Sequence, residues 1–343
     1  MTSVMTQSAP DVTDVALRHA IEHTLSHRGA SSTVRDLRRR PSAYATSCAL
    51  EEVVAELDDG CRLELMLKNL SRAAMSQRAV RAKPSFLHDP CREIAVYRRI
   101  LAPFGLGAAF YGATADRGRD EYWLLIERVQ GRELYQLGDL GAWIAAARWL
   151  ADLHQRIRAV APEHLAQSAH LVRYDADFYR LWMTRAKRFL ATANPCPPVV
   201  PITLRRLAAA HERVIDRLTE LPLTVVHGEF YPSNVLAACV GREWRVWPVD
   251  WEMAAIGPGI MDLAALTLGR WRHRDRRAVI AAYVAATGDH QLRTLASTVE
   301  LIDYAQIQLA VQWLGWFGRR RPPAEHAQDW LSEAVIRTER LGL

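Results

Sequence analysis

Val225-Val226-His227-Gly228-Glu229-Phe230-Tyr231-Pro232-Ser233-Asn234-Val235-Leu236 is the stretch from which the rest of the chain is read. A short apolar run delivers a polar loop in which an acid, Glu229, stands five residues before an asparagine, Asn234. Further on, a second strand-like run from Trp244 to Val249 ends in Asp250-Trp251-Glu252. Phosphoryl transfer needs this inventory. A carboxylate orients or deprotonates the attacking hydroxyl, and oxygen donors on neighbouring loops hold the magnesium ions that neutralise the phosphates.

Upstream of that loop the hydrophobic pattern is first helical, then strand-like. Residues 1 to about 30 read as a disordered start followed by a helix with Val15, Leu17, Ile21 and Leu25 apolar. Ser47 to Leu57 and Cys61 to Leu70 read as strands joined by the tight turn Asp58-Asp59-Gly60. In the second of these, Leu63, Leu65 and Leu67 alternate with Glu64, Met66 and Lys68. Residues 71 to 89 read as an irregular basic loop. Asp89-Pro90 then opens a helix to about Leu101, with aspartate as N-cap and proline in the first turn. Strands near Ala108 to Ala113 and Tyr122 to Val129 complete the order strand, strand, helix, strand, strand. Beyond Gly131 the pattern is mainly helical, at Leu140 to Ile157 and at 174–192, 202–220, 262–269, 275–287, 292–317 and 324–340. Strand pieces interrupt it at Leu223 to Val226 and Trp244 to Val249, and Ala193 to Pro201 is a proline-rich loop. A sheet segregated from helices is an α+β arrangement.

Composition narrows the function. The 343 residues are 50% hydrophobic and 24% charged, ordinary for a globular protein. Cys48, Cys61, Cys91, Cys196 and Cys239 are scattered with no Cys-x-x-Cys pair, which argues against a zinc site and a disulfide framework and fits a reducing, cytoplasmic setting. Asp11, Asp14, Arg18 and Glu22 break up any apolar signal core. Asp303, Gln306, Gln308 and Gln312 make Leu301 to Phe317 a buried amphipathic helix rather than a membrane span. The net charge of +6 comes from dispersed arginines, with short clusters at Arg38–Arg40 and Arg319–Arg321, so no nucleic-acid partner is expected. Only Lys68, Lys83 and Lys187 among the 44 basic residues are lysines. A lysine kept in such a chain suggests a place where a compact point charge serves and a broad guanidinium does not.

His227 to Asn234 resembles the His-Gly-Asp-x-x-x-x-Asn catalytic loop of the aminoglycoside phosphotransferase/choline kinase family. Val249-Asp250-Trp251-Glu252, followed by Gly257-Pro258 and Asp262-Leu263-Ala264, resembles that family's metal-binding strand end and the helix after it. The resemblance runs from about residue 32 to the last helices. It implies a bilobal protein-kinase-like fold: a small N-terminal antiparallel-sheet lobe over residues 1–129, with 1–30 as an extension, and a larger mainly helical lobe over 130–343. It implies an ATP-dependent kinase with magnesium and a small-molecule hydroxyl acceptor. Asn234 and Asp250 would be the magnesium ligands, His227 and Asp262 would support the catalytic loop, and Glu229 would stand at the catalytic position. Lys68, at a strand end, and Glu93, on the next helix, fit the kinase pair that holds the α- and β-phosphates. Backbone groups near Glu127 to Val129 would bind adenine, without a sequence preference for ATP over GTP. The loop Pro41 to Ser47 would cover the phosphates through small residues, Ser42, Ala43, Ala45 and Ser47, with no Gly-x-Gly-x-x-Gly. Tyr174, Asp175, Asp177, Tyr179, Asp303, Gln306 and Trp313 are candidates for the acceptor pocket, and His154 reads as a packed helix residue.

One position departs from the pattern. The family has aspartate where this chain has Glu229. Glutamate keeps the charge, but its extra methylene moves the carboxylate by roughly 1 Å, a displacement that can cost about 100-fold in rate. Two readings follow: an active kinase whose loop or substrate has adjusted, or a nucleotide-binding pseudokinase. Retention of matching chemistry at Lys68, Glu93, Asn234, Asp250 and Asp262 favours the first.

Overall fold

A computed structural model describes residues 12–44, 47–158, 170–191, 199–287, 294–317 and 327–343. The start of the chain, Ala45, most of the proline-rich loop with Cys196, and the Arg319–Arg321 cluster lie outside these residues. The chain divides into two compact units, Met1–Gln130 and Gly131–Leu343.

The first unit begins with helix α1 (Asp14–His27), whose N-cap Thr13 accepts a hydrogen bond from the Ala16 N–H. Leu17, Ile21 and Leu25, spaced by four, form its buried face. Val15 falls off that face and is 76% exposed, so the fourth apolar residue of the sequence pattern plays no part in the core. The helix packs on a five-stranded antiparallel sheet of β1 (Val34–Pro41), β2 (Ala49–Leu57), β3 (Arg62–Asn69), β4 (Phe110–Asp116) and β5 (Glu121–Glu127), in the order β1-β2-β3-β5-β4. Val53, Ala55, Leu65, Leu67, Trp123 and Leu125 meet α1 in one core cluster. Helix and sheet approach closely at Gly112, where a Cβ would lie 2.7 Å from the Cβ of Ala20.

Strand β1 is absent from the four-strand order read from sequence, because arginines occupy it on both faces. Arg38, Arg39 and Arg40 pair across the ladder with Glu56, Glu51 and Glu52 at 3.1, 2.9 and 2.6 Å. Cross-strand ion pairs thus replace the apolar alternation that marks an ordinary strand. The expected irregular segment 71–89 also contains a short helix, α2 (Gln77–Ala82), capped by Ser76. Helix α3 (Pro90–Val96) is opened by Asp89, which accepts from the Cys91 N–H. It continues through a π-helical turn, Tyr97–Leu101, to Ala102–Phe104, where Gly105 ends it in the left-handed conformation at φ 64°.

The second unit holds helices α4 (Leu140–Arg158), α5 (Ala176–Ala191), α6 (Val199–Thr219), α7 (Ile260–Leu266), α8 (His273–Thr287), α9 (Leu295–Phe317) and α10 (Trp330–Arg340). Two small sheets accompany them. One runs in the order Glu243–Pro248, Val235–Val240, Arg132–Glu133; the other in the order Val172–Arg173, Ala255–Pro258, Leu223–Val226. Four of these six strands are not separated from loop in the sequence: three have only two to four residues, and Val235–Val240 is apolar throughout and so shows no alternation. Leu301, Ile302, Ala305, Ile307 and Val311 are buried along α9, and so are Asp303, Gln306, Gln308 and Gln312. Burial on all sides accounts for its nearly continuous apolar character. No described helix is long and apolar enough to cross a membrane.

Candidate active site

The apolar strand Leu223–Val226 ends at Val226, fully buried, and the chain turns at once into the polar loop. Gly228 makes the turn at φ 84°, and a Cβ there would overlap the Met253 carbonyl and lie 2.9 Å from the Tyr174 hydroxyl. Both the backbone conformation and the lack of space demand glycine. The loop is suspended from behind by Asp262 on α7, a fully buried carboxylate. It accepts the His227 N–H at 2.6 Å and the Gly228 N–H at 3.0 Å. From the side, the His227 ring Nδ1 accepts the Glu229 N–H at 3.3 Å, so Nε2 carries the proton and donates it to Val249 O at 2.9 Å. The ring therefore ties the start of the loop to the strand end that precedes Asp250.

Asn234 closes the loop. Its Nδ2 donates to Glu229 O at 3.0 Å, and its own carbonyl accepts the Val249 N–H at 2.9 Å. The amide orientation leaves Oδ1 as the oxygen end, the donor a hard divalent cation takes. Asp250 follows in the left-handed region at φ 65°, ψ 60°, an uncommon place for a residue other than glycine. Aspartate tolerates it better than most. A carboxylate and an amide oxygen presented by adjoining segments fit a magnesium-type ion.

In the first unit, Lys68 Nζ lies 2.7 Å from Glu93 Oε2, with side-chain exposures of 15% and 3%. Lys68 is the penultimate residue of β3, the central strand, and Glu93 sits in the first turn of α3, so the middle of the sheet and the helix meet through this pair. Ser42 is buried. Its N–H goes to Leu50 O at 2.8 Å and its hydroxyl accepts the Tyr44 N–H at 3.3 Å. Ser47 is half-buried, and its carbonyl accepts the Ser76 N–H at 3.0 Å. Glu127 ends β5 with its N–H donated to Ala109 O at 2.8 Å and its carboxylate accepting the Ala109 N–H at 3.1 Å. Its peptide N–H is thus committed within the unit. Val129 is half-buried just beyond the strand end.

The sequence profile of the phosphotransferase enzyme family matches residues 57–301. The chain belongs to that family. Solved structures agree on the fold. A GDP complex of a variant of aminoglycoside 2′-phosphotransferase-IIIa superposes at TM-score 0.54 and 14% identity, covering 96% of this chain and 97% of that one. Ethanolamine kinase from Plasmodium vivax gives 0.53 and 12%, covering 90% and 82%. A choline/ethanolamine kinase family protein from Mesorhizobium loti gives 0.53 and 15%, covering 89% and 87%. Among curated protein sequences none matched. The architecture is the α+β, protein-kinase-like fold of this phosphotransferase family.

Several acceptor-pocket candidates of this phosphotransferase-family chain are already committed. Arg340 holds Asp303 at 3.1 Å, and Gln306 accepts from Arg337 at 2.9 Å while donating to Ala264 O at 3.0 Å. Asp175 caps α5, accepting the Phe178 N–H at 2.9 Å, and the Asp177 side chain is 97% exposed. Tyr174 and Tyr179 are buried, and burial first of all raises both phenol pKa values. Trp313 remains half-buried, its indole N–H donated to the Tyr231 hydroxyl at 2.9 Å.

His154 is a packed helix residue, as the sequence suggests, and its neighbours place it behind the loop. It is fully buried on α4, with Nδ1 2.8 Å from the Tyr283 hydroxyl and Nε2 3.6 Å from Asp262 Oδ2. The second distance is too long for a hydrogen bond. Burial lowers the imidazole pKa against the opposing pull of Asp262, so the ring stands neutral behind the loop-holding carboxylate. Its sequence signal was only a polar residue on the apolar face of an amphipathic helix.

Proposed function

We propose that this chain transfers the γ-phosphoryl group of a nucleoside triphosphate, ATP first among them, to a hydroxyl of a small molecule. The observation that carries the reading is the suspended loop. One strand end presents a carboxylate and, five residues on, an amide, while the next presents Asp250. Phosphoryl transfer is mostly positioning and charge stabilisation, so an acid on a firmly held backbone, with two oxygen donors on the same loop and the next strand end, is suited to it.

In this reading the Glu229 carboxylate orients the acceptor hydroxyl and takes its proton as the new oxygen–phosphorus bond forms and the bond to the leaving diphosphate breaks. Asn234 Oδ1 and the Asp250 carboxylate hold magnesium, which when bound neutralises phosphate charge. Lys68, fixed by Glu93, takes the α- and β-phosphates. Ser42 and Ser47 belong to the loop over the phosphates, and backbone groups from Glu127 to Val129, other than the committed Glu127 N–H, serve the base. His227 and Asp262 hold the loop. Residues 1–129 are the nucleotide-binding lobe, 130–343 carry the catalytic loop and acceptor pocket, and the setting is cytoplasmic.

Glu229 favours one other reading, a nucleotide-binding pseudokinase with a regulatory role, because glutamate stands where the family pattern has aspartate. Nucleotide consumption against a library of hydroxyl compounds, with ATP and GTP side by side and mass detection of a phosphorylated product, separates the two. A product establishes the kinase. Magnesium-nucleotide binding without any product across the library supports the pseudokinase. Absence of both a thermal shift and calorimetric heat at millimolar magnesium-nucleotide would overturn both.

A further inference from the structure

We propose that the exposed face of α1 is a binding site for a transition-metal cation of the zinc, copper or nickel class, chelated by His23 and His27. His19, His23 and His27 recur every fourth residue. Residues four apart lie one above another on a helix, so the three imidazoles form a single stripe. All three are exposed, on the side away from the buried Leu17, Ile21 and Leu25. The stripe plays no part in the core and lies apart in sequence from every residue assigned to phosphoryl transfer.

The rings are close enough to share an ion. The centroids of His23 and His27 are 4.2 Å apart, and those of His19 and His23 are 6.1 Å apart. Zinc–nitrogen bonds of about 2.0–2.1 Å at a tetrahedral angle place two ligating nitrogens about 3.4 Å apart. For exposed side chains, rotation about χ1 and χ2 covers the difference, and the backbone need not move. The same i, i+4 pairing of histidines on one helical face serves zinc in His-Glu-x-x-His proteins.

A second observation bears on the ligand atom. His27 Nδ1 lies 2.9 Å from the His23 carbonyl oxygen. A carbonyl only accepts, so Nδ1 carries the ring proton and Nε2 keeps its lone pair. Metal-ligating histidines regularly donate their other ring N–H in this way, which fixes the tautomer before the ion arrives. The helix end is anchored as well. The Thr24 hydroxyl donates to Tyr111 O at 2.7 Å, Arg28 donates to Phe110 O at 3.0 Å, and the Arg28 guanidinium lies over the Tyr111 ring. Chelation therefore orders little beyond two exposed side chains, and water fills the remaining coordination positions.

The donor set decides the class of metal. Imidazole nitrogen suits zinc, copper and nickel, whereas magnesium takes oxygen ligands and keeps its waters. The site is thus distinct in chemistry from the magnesium site of the proposed reaction, and its existence does not depend on that reaction.

The test is isothermal titration of the tag-free full-length chain with zinc chloride and with nickel chloride, in buffer containing excess magnesium. The wild type is expected to bind one ion at this face, with a raised melting temperature in the presence of the metal. His23→Ala, which removes the residue common to both neighbouring pairs, is expected to lose that binding event and the thermal shift. Its circular dichroism should stay unchanged, since the side chain is exposed. An unaltered isotherm in His23→Ala, competition by magnesium, or no binding by the wild type at millimolar metal would overturn the proposal.

Discussion

Replacing Lys68 by methionine deletes an ammonium from a pair whose carboxylate, Glu93, is only 3% exposed. At the observed 2.7 Å and an effective dielectric of about 20, the gross attraction is about 6 kcal/mol. Much of that offsets the desolvation of the two charges, so the pair's net worth is smaller. Removing one partner is another matter, because the other is left charged and buried. Such losses run to about 3–5 kcal/mol. Lys68→Met should therefore destabilise the first unit by about 3–5 kcal/mol. The two units need not unfold together, so a global midpoint is the wrong measure. Amide hydrogen exchange on Arg62–Asn69 and Pro90–Val96 is the right one, and should accelerate by roughly 100- to 5,000-fold. Lys68→Met combined with Glu93→Leu should recover most of the loss, since no buried charge remains. Neither variant should transfer phosphate. If the single change cost less than about 0.5 kcal/mol, the pair would be an ordinary solvated strand end, and the argument for Lys68 as a held phosphate ligand would fail.

Glu229→Gln should lower turnover by roughly 100-fold or more with nucleotide affinity little changed, as measured on the first acceptor identified. Glu229→Asp should impair a site adapted to the longer side chain and raise activity in one that merely tolerates it; full activity in Glu229→Gln would end the catalytic assignment. Asp250→Ala should abolish turnover while circular dichroism and melting stay near wild type, and near-normal activity would show the metal assignment to be wrong. Gly228→Ala combines a left-handed backbone, costing about 1–2 kcal/mol, with overlap on the Met253 carbonyl. A lowered melting temperature and collapsed turnover are expected together, and an unperturbed variant would refute the close approach. Burial lowers the pKa of both His154 and His211 below the free value of about 6.5, so protons bind the unfolded chain first. Stability is then complete above about pH 6.5 and falls as the pH drops below it; urea unfolding at about pH 7.5 and 5.5 should show this, with a smaller drop in His211→Gln.

Elements were legible in the sequence where one physical cause acted alone. The helix from Asp89-Pro90 was written in its cap, and Leu223–Val226 in an unbroken β-branched and apolar run. Strand Val34–Pro41 was hidden because arginine–glutamate pairs across the ladder do the work that apolar alternation does elsewhere. Arg132–Glu133 and Val172–Arg173 have two residues each, and no period can show in two residues. Val15 is exposed for a geometric reason: it breaks the spacing of four that Leu17, Ile21 and Leu25 keep.

The site divides in the same way. Asp262 could be picked out because its position after Gly257-Pro258 follows a family pattern, and the structure hangs two peptide N–H groups on it. His154 could not, since its meaning lies in a neighbour, Asp262, more than a hundred residues away in sequence. The Glu229 departure also becomes intelligible through this suspension. Asp262 holds the peptide N–H groups of residues 227 and 228, His227 holds that of 229, and Asn234 holds the carbonyl of 229. These bonds are indifferent to whether the side chain at 229 has one methylene or two. The loop backbone can therefore keep its shape with glutamate in place, and the substitution acts through what the carboxylate itself meets, Tyr174 and Tyr231 feeling its charge among them. Under the proposed function, turnover with a hydroxyl substrate is the measurement most sensitive to the exchange, because the backbone bonds of the loop do not depend on the side chain at 229.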